Sequence, residues 1–191
     1  TNHNLLYFET ASIPLLLITE SSATAQLAKA SYALIIIDNR FATPIKQNPL
    51  DLCIDIVTHC VTKYLGGHSD LCCGAVLTRK DLTAKISATA ANLGGSMNAM
   101  TCYLLERSLK TLGIRMDKHN RNARMIAEYL AKDPRIPRVH YPGLENHPGY
   151  AVAKNQMAGF GGMLSFELDG RESERFLKNL KVITPALSLG G

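Results

Sequence analysis

Aromatic residues make up only 6% of the 191-residue chain, and its basic charge is not clustered. The Lys and Arg residues are spread along helical segments, so the formal net charge of +5 reads as solvated helix faces. A nucleic-acid surface would gather them into a patch or stripe. Long hydrophobic runs are lacking too. Leu15–Ile18 and Ala33–Ile37 are the longest, far short of the roughly 20 apolar residues that cross a bilayer, and no signal-peptide pattern opens the sequence. Cysteine is scarce and odd in number. Cys53, Cys60, Cys72, Cys73 and Cys102 show no metal-ligand spacing. Adjacent Cys72 and Cys73 lie in an apolar run and read as core residues. Reduced thiols of this kind point to a cytoplasmic protein. Nucleotide-binding glycine loops are missing as well. Gly94-Gly95 and Gly159–Gly162 lack the Lys-Ser/Thr of a Walker loop and the strand and helix context of a dinucleotide fingerprint, so both read as turns. There is no internal repeat and no low-complexity segment.

What is present is the composition of an ordinary globular protein, 46% hydrophobic and 19% charged, in a chain long enough for a sizeable core. It opens on Thr1 and closes on the turn-like Ser188-Leu189-Gly190-Gly191, so both ends read as cut from something longer. Leu5–Phe8 reads as a buried strand. Ser21 and Ser22 can cap a helix running to about Tyr32. Ala33–Ile37, rich in Ile, fits a strand buried on both faces, as in a parallel sheet. Ile54–Thr58 and Gly74–Leu77 read as two more strands, with a glycine-rich loop at Tyr64–Ser69 between them. Asp81–Ala91 reads as a helix. From Ser96 a three-and-four spacing of apolar residues runs almost unbroken to Ala131, with Gly113 inside it. The pattern then changes to a strand at Arg138–Tyr141, a helix at Tyr150–Met157, a half-buried strand at Met163–Leu168 and a helix at Arg171–Leu180. The spacing places a domain boundary near Met116–Asn120, between a parallel α/β layer and a smaller α+β unit.

Two charged residues stand at the ends of strands. Asp38 closes the Ile-rich run, and Lys63 follows twenty-five residues later, beyond the next strand. That spacing permits a crossover between parallel neighbours, which would put both at the carboxyl edge of the sheet, where open α/β folds bind ligands. A lone lysine there is ordinarily a surface charge, and Asp-Asn after a strand often only begins a turn. Three neighbours favour more for Lys63: the hydroxyl of Thr62, the thiol of Cys60, and Gly66-Gly67, where backbone can approach a ligand. An amine and a carboxylate so placed suit pyridoxal phosphate (PLP). That cofactor needs a lysine for its aldehyde and an anion for its ring nitrogen. His59 and His68 flank the lysine without metal-pair spacing and read as hydrogen-bonded structural histidines.

The same stretch resembles the PLP enzymes of cysteine and methionine metabolism, the cystathionine synthases and lyases, methionine γ-lyase and O-acylhomoserine sulfhydrylases. The resemblance is carried by Ala33–Ile37, Asp38-Asn39, Phe41-Ala42-Thr43-Pro44, Asn48-Pro49-Leu50 and, above all, His59–Asp70. It continues through Leu105-Glu106-Arg107, Leu109–Leu112, Arg115-Met116, Tyr141–Leu144, His147-Pro148 and Gly161-Gly162-Met163. It implies an α/β fold: part of the aspartate-aminotransferase type I large domain over residues 1–116, and most of a smaller α+β C-terminal domain over 117–191. It implies that Lys63 forms the Schiff base and carries protons, that Asp38 pairs with the ring nitrogen, and that Cys60 and Thr62 face the cofactor phosphate. Ser188 matches a serine near the lysine and the substrate. The implied reaction is β- or γ-elimination, or γ-replacement, on a small amino-acid substrate (a sulfur amino acid or an O-acylhomoserine). The implied assembly is a homo-tetramer, with no nucleic-acid or membrane partner.

Four departures stand against the family pattern. Ile13 occupies the place of an asparagine that meets the cofactor's 3-hydroxyl, and Ala11 that of a proline. Cys60 replaces a phosphate-binding serine, and a thiol is the weaker donor. Arg40 replaces a small threonine and adds a cation beside the cofactor face. The family's glycine-rich phosphate cup, ring-stacking tyrosine and substrate-carboxylate arginine have no counterpart in this sequence. These features support an alternative expectation: a truncated, catalytically impaired paralogue that is inert or associates with full-length relatives.

Overall fold

The structure is a computed structural model that describes residues 5–190. Its centre is a four-stranded sheet in the order β1 (Leu5–Glu9), β2 (Leu34–Asp38), β3 (Ile56–Cys60), β4 (Gly74–Thr78). The first three strands are parallel and β4 is antiparallel to β3. The parallel layer expected from the Ile-rich runs therefore ends at β3. A parallel return needs a crossover over the sheet face, and the residues between β3 and β4 form one helical turn and coil instead. β3 lies two residues later than the apolar run indicated, because Asp55 is drawn off. Its carboxylate accepts from the Ile35 amide at 3.0 Å and pairs with Arg79 at 2.9 Å.

Helix α1 (Ser21–Ala30) crosses from β1 to β2 and lays Ala25 and Ala28 on Ile35, Ile37, Ile54 and Val57. Its cap is Glu20, which accepts from the amides of Ser22 and Ala23, not the expected serines. Ser21 is buried one residue in, its amide donating to Gln156 at 3.0 Å and its hydroxyl accepting from Gln47 at 3.3 Å. β1 is an edge strand with Leu5, Leu6 and Tyr7 exposed, so the reading of a buried strand there fails. A short helix α2 (Thr43–Lys46) and a 3-10 turn (Pro49–Leu52) lead from β2 to β3.

Beyond β4, helix α3 (Lys80–Asn92) ends at Gly94, whose φ of +75° makes the expected turn. The long helix read from Ser96 is two helices, α4 (Ala99–Leu109) and α5 (Leu112–Leu130). Thr111 breaks it by donating its hydroxyl to the Ser108 carbonyl at 3.2 Å and accepting from Arg115 Nε at 3.1 Å. Gly113 thus falls in the first turn of α5, where its effect on helix stability is small. The remaining elements are β5 (Val139–His140), α6 (Tyr150–Gln156), β6 (Ser165–Phe166) and α7 (Gly170–Asn179), with β5 and β6 antiparallel. The strands expected over 138–141 and 163–168 shrink to these two-residue pairs.

Helix α5 serves two cores. Leu112 and Met116 pack with Phe41, Val61, Tyr64, Leu65 and Leu71. Ala123 and Ala127 pack with Val139 and Tyr141. Among the described residues no helix is long and apolar enough to cross a membrane.

Candidate active site at the carboxyl edge of the sheet

Strand register brings the two sequence-singled residues to one edge. Asp38, the last residue of β2, lies opposite Thr58 of β3, and Lys63 follows the end of β3 in a helical turn, Val61–Leu65. This turn has π-type hydrogen bonding and is kinked at Lys63 itself, whose ψ of −125° is not helical. The kink turns the lysine out of the run while Val61, Tyr64 and Leu65 go into the core. Lys63 is half-buried. Its amine stands 5.7 Å from the centroid of the Phe41 ring and pairs with no carboxylate among the described residues.

The turn is held from several sides. Arg115 of α5 donates to the carbonyls of Tyr64 at 2.6 Å, Leu65 at 3.3 Å and Ser108 at 3.0 Å. Gly67, at φ +67°, lies so near that a Cβ would stand 2.0 Å from the Arg115 guanidinium. From the far end of the chain Gly190 presses on the lysine: a Cβ there would be 2.8 Å from the Tyr64 amide nitrogen and 2.9 Å from the Lys63 carbonyl carbon. Ser188, two residues before Gly190, is exposed, and Leu189 packs on the core around Tyr64. Burial pushes the Tyr64 hydroxyl up to about 12, so it stays protonated.

Asp38 is buried and crowded with donors. Its Oδ1 accepts from the Arg40 amide at 3.1 Å, and its Oδ2 from Tyr7 Oη at 3.2 Å and Arg40 Nε at 2.8 Å, with Arg40 Nη2 closer still. Arg40 Nε also reaches Glu9 Oε1 at 3.4 Å. Burial raises the Glu9 carboxyl above its ordinary value, with the charges of Arg40 and Lys63 opposing. The Arg40 guanidinium is itself held charged, chiefly by its hydrogen bonds to Asp38. Tyr7, Glu9 and Arg40 join the site through strand register, since Glu9 pairs with Asp38 across β1 and β2. The cation expected beside the cofactor face is thus bound to Asp38 itself. The alternation of β1 would have pointed to Tyr7 and Glu9 as carboxyl-edge residues.

The hydroxyl of Thr62 is occupied locally, donating to the Cys73 carbonyl at 3.4 Å and accepting from the Cys73 amide at 3.0 Å. Cys60 is a half-buried free thiol. Cys72 is exposed and Cys73 half-buried, so the core reading holds for neither in full. β4 runs along the sheet's open side, where exposed and half-buried positions outnumber buried ones. His68 is hydrogen-bonded as expected, Nδ1 lying 2.7 Å from the Gly66 carbonyl. His59 is buried with Nδ1 unpartnered, and burial depresses its pKa. Among the described residues no three His, Cys, Asp or Glu side chains gather as a metal site. Ile13 is half exposed and offers no polar atom to the edge.

Comparison with known proteins decides the family. The whole chain, residues 1–191, matches the model of the Cys/Met metabolism PLP-dependent enzymes. The chain belongs to that family. Its sequence is 46% identical over 188 residues to a cystathionine beta-lyase of Lactococcus lactis, covering 97% of this chain and 50% of the relative. To an L-methionine gamma-lyase of Fusobacterium nucleatum it is 44% identical over 194 residues, covering 99% and 49%. The fold superposes on cystathionine gamma-lyase from Lactobacillus plantarum, solved with L-serine, with a TM-score of 0.95 and 44% identity over 98% of this chain and 50% of that one. It superposes equally on a Xanthomonas oryzae cystathionine gamma synthase, with a TM-score of 0.96 and 40% identity over 100% and 50%. The architecture is thus the α/β type I transferase large domain with a smaller mixed unit. The chain spans about half the length of the curated relatives it matches.

The residues at the edge fit PLP in two of its three needs. An accessible amine and a buried strand-end carboxylate suit its aldehyde and its ring nitrogen. The donors for its phosphate are sparse, a thiol and a hydroxyl already engaged with backbone.

Proposed function

We propose that this chain carries the lysine half of a PLP site serving transsulfuration-type chemistry. The reaction is β- or γ-elimination, or γ-replacement, on a sulfur amino acid or an O-acylhomoserine. The observation that carries the reading is the convergence of Lys63 and Asp38 at one carboxyl edge of adjacent parallel strands. When bound, PLP supplies an aldehyde for amines and an electron sink for charge developing at a substrate α-carbon. In this reading Lys63 holds the cofactor and moves protons at its Nζ. Asp38, ionised, receives the ring N–H, and Thr62 and Cys60 face the phosphate. Ser188 lies on the substrate side in this reading, which the closeness of Gly190, two residues on, to the lysine backbone supports. We divide the chain into residues 1–116, part of the cofactor domain, and 117–191, part of a smaller domain. The change of core along α5 after Met116 supports that division.

The test is to add PLP to purified protein and record visible absorbance. A band that appears in the parent and is lost in Lys63→Ala supports the reading. Absence of any Lys63-dependent band overturns it for this chain.

A second reading has its own support. Helix α3 buries none of its residues, and Leu93, Met100 and Tyr103 stand exposed. Such a surface associates, which suits a non-catalytic chain that pairs with copies of itself or full-length relatives, whose family assembly is a tetramer. Light scattering after size exclusion separates the two, since a compact monomer excludes the associating form.

A further inference from the structure

Asp38 already has a cation. Its side chain is 8% accessible, so an ionised carboxylate there requires donors. Arg40 supplies them from two residues away through its amide, Nε and Nη2. With Tyr7 Oη added, Oδ2 faces three donors at once. A carboxylate oxygen offers about two lone-pair directions, so a further N–H at Oδ2 leaves room for only one of the three, and at least one of the two that leave belongs to Arg40. Tyr7 is exposed and can swing away, and the guanidinium is free to move as well. Its side chain is one-third exposed, and Glu9 Oε1 lies 3.4 Å from Nε as a second anionic resting place. The Phe41 ring lies 5.9 Å from Cζ.

We infer that Arg40 is an internal competitor for the cofactor's ring nitrogen: it holds Asp38 in the cofactor-free chain and weakens PLP binding until displaced toward Glu9. The inference rests on the PLP reading above. A planar, permanently charged fork is the strongest rival an aspartate can be offered. Two cations cannot both take full advantage of one carboxylate, so each lowers the affinity of the other. Arg40 is therefore an affinity-setting residue acting through Asp38. It tunes how tightly the chain holds its cofactor without needing to touch it.

The experiment titrates PLP into the parent chain, Arg40→Thr and Arg40→Lys, fixes bound PLP to Lys63 with borohydride, and measures labelled peptide by mass. Circular dichroism melts confirm that each variant folds. Half-saturation in Arg40→Thr falls roughly tenfold or more, the worth of a charged hydrogen bond, and Arg40→Lys lies between. In an Asp38→Asn background the Arg40→Thr change loses its effect, because the contested carboxylate is gone. Equal or weaker binding by Arg40→Thr overturns the inference while leaving the PLP reading intact. So does an undiminished gain in the Asp38→Asn background. Labelling of parent and Arg40→Thr no greater than that of Lys63→Ala overturns both.

Discussion

Two apolar stretches meet opposite fates on either side of Leu71. In the first, Val61, Tyr64, Leu65 and Leu71 are buried and lock to Met116 and Leu112 of α5. In the second, Leu77, Leu93, Met100 and Tyr103 remain exposed, and α4 buries Ser108 alone among its residues. Composition does not separate the two; partners do. The lysine turn receives a helix, an arginine and a distant glycine; β4 pairs with β3 and α4 packs Leu104 and Leu105 on the lysine-side core, but Leu77, Leu93, Met100 and Tyr103 lie off that core. An apolar residue contributes stability through what it is buried against, so the first stretch holds the fold and the second lies ready for another surface.

The contrast can be broken by substitution. Met116→Ala empties a fully buried position between α5 and the lysine turn, and costs about 2–5 kcal/mol in urea unfolding. A loss well under that range would mean the lysine-side core is not the better packed. Acid tests the same side more gently. Burial holds His59 below its ordinary value of 6.5, so the native form prefers the neutral ring. Stability is therefore full above about pH 6.5 and is lost as pH falls from there through the lower native value, because the unfolded chain binds the proton first. His119 and His147, also depressed by burial, act in the same direction. The unfolding midpoint drops as pH falls below about 6.5, and His59→Gln flattens the slope; an unchanged slope would remove His59 from the account. On the other side, Met100→Lys at a position 65% exposed changes stability by under about 0.5 kcal/mol. It lowers self-association in light scattering. A large loss of stability there would show that the open face is packed after all.

Much of this was legible along the chain. The Ile-rich run before Asp38 fitted a strand of a parallel sheet, which it is, with Ile35 and Ile37 buried and Ile36 half-buried, and the punctuation between Asp38 and Lys63 left room for a parallel return. Spacing permitted their meeting at one edge without requiring it, and the motif around Lys63 carried the family. What local reading could not reach were pairings set by register and distance. The grip of Arg40 on Asp38 depends on where one long side chain swings, and its rival Glu9 depends on β1 aligning residue for residue with β2. The contact of Gly190 with Lys63 joins residues far apart in sequence. The break at Thr111 was hidden because apolar spacing continues across it, while a hydroxyl and Arg115 redirect the backbone.

Arg115 also links distant parts of the molecule mechanically. It sits in the first turn of α5, whose 19 residues form a rod roughly 28 Å long at about 1.5 Å per residue. One end of the rod grips three carbonyls, two of them in the lysine turn, and the other is seated in the core of β5. One helix therefore braces both the backbone beside Lys63 and the core of β5, two places far apart along its axis.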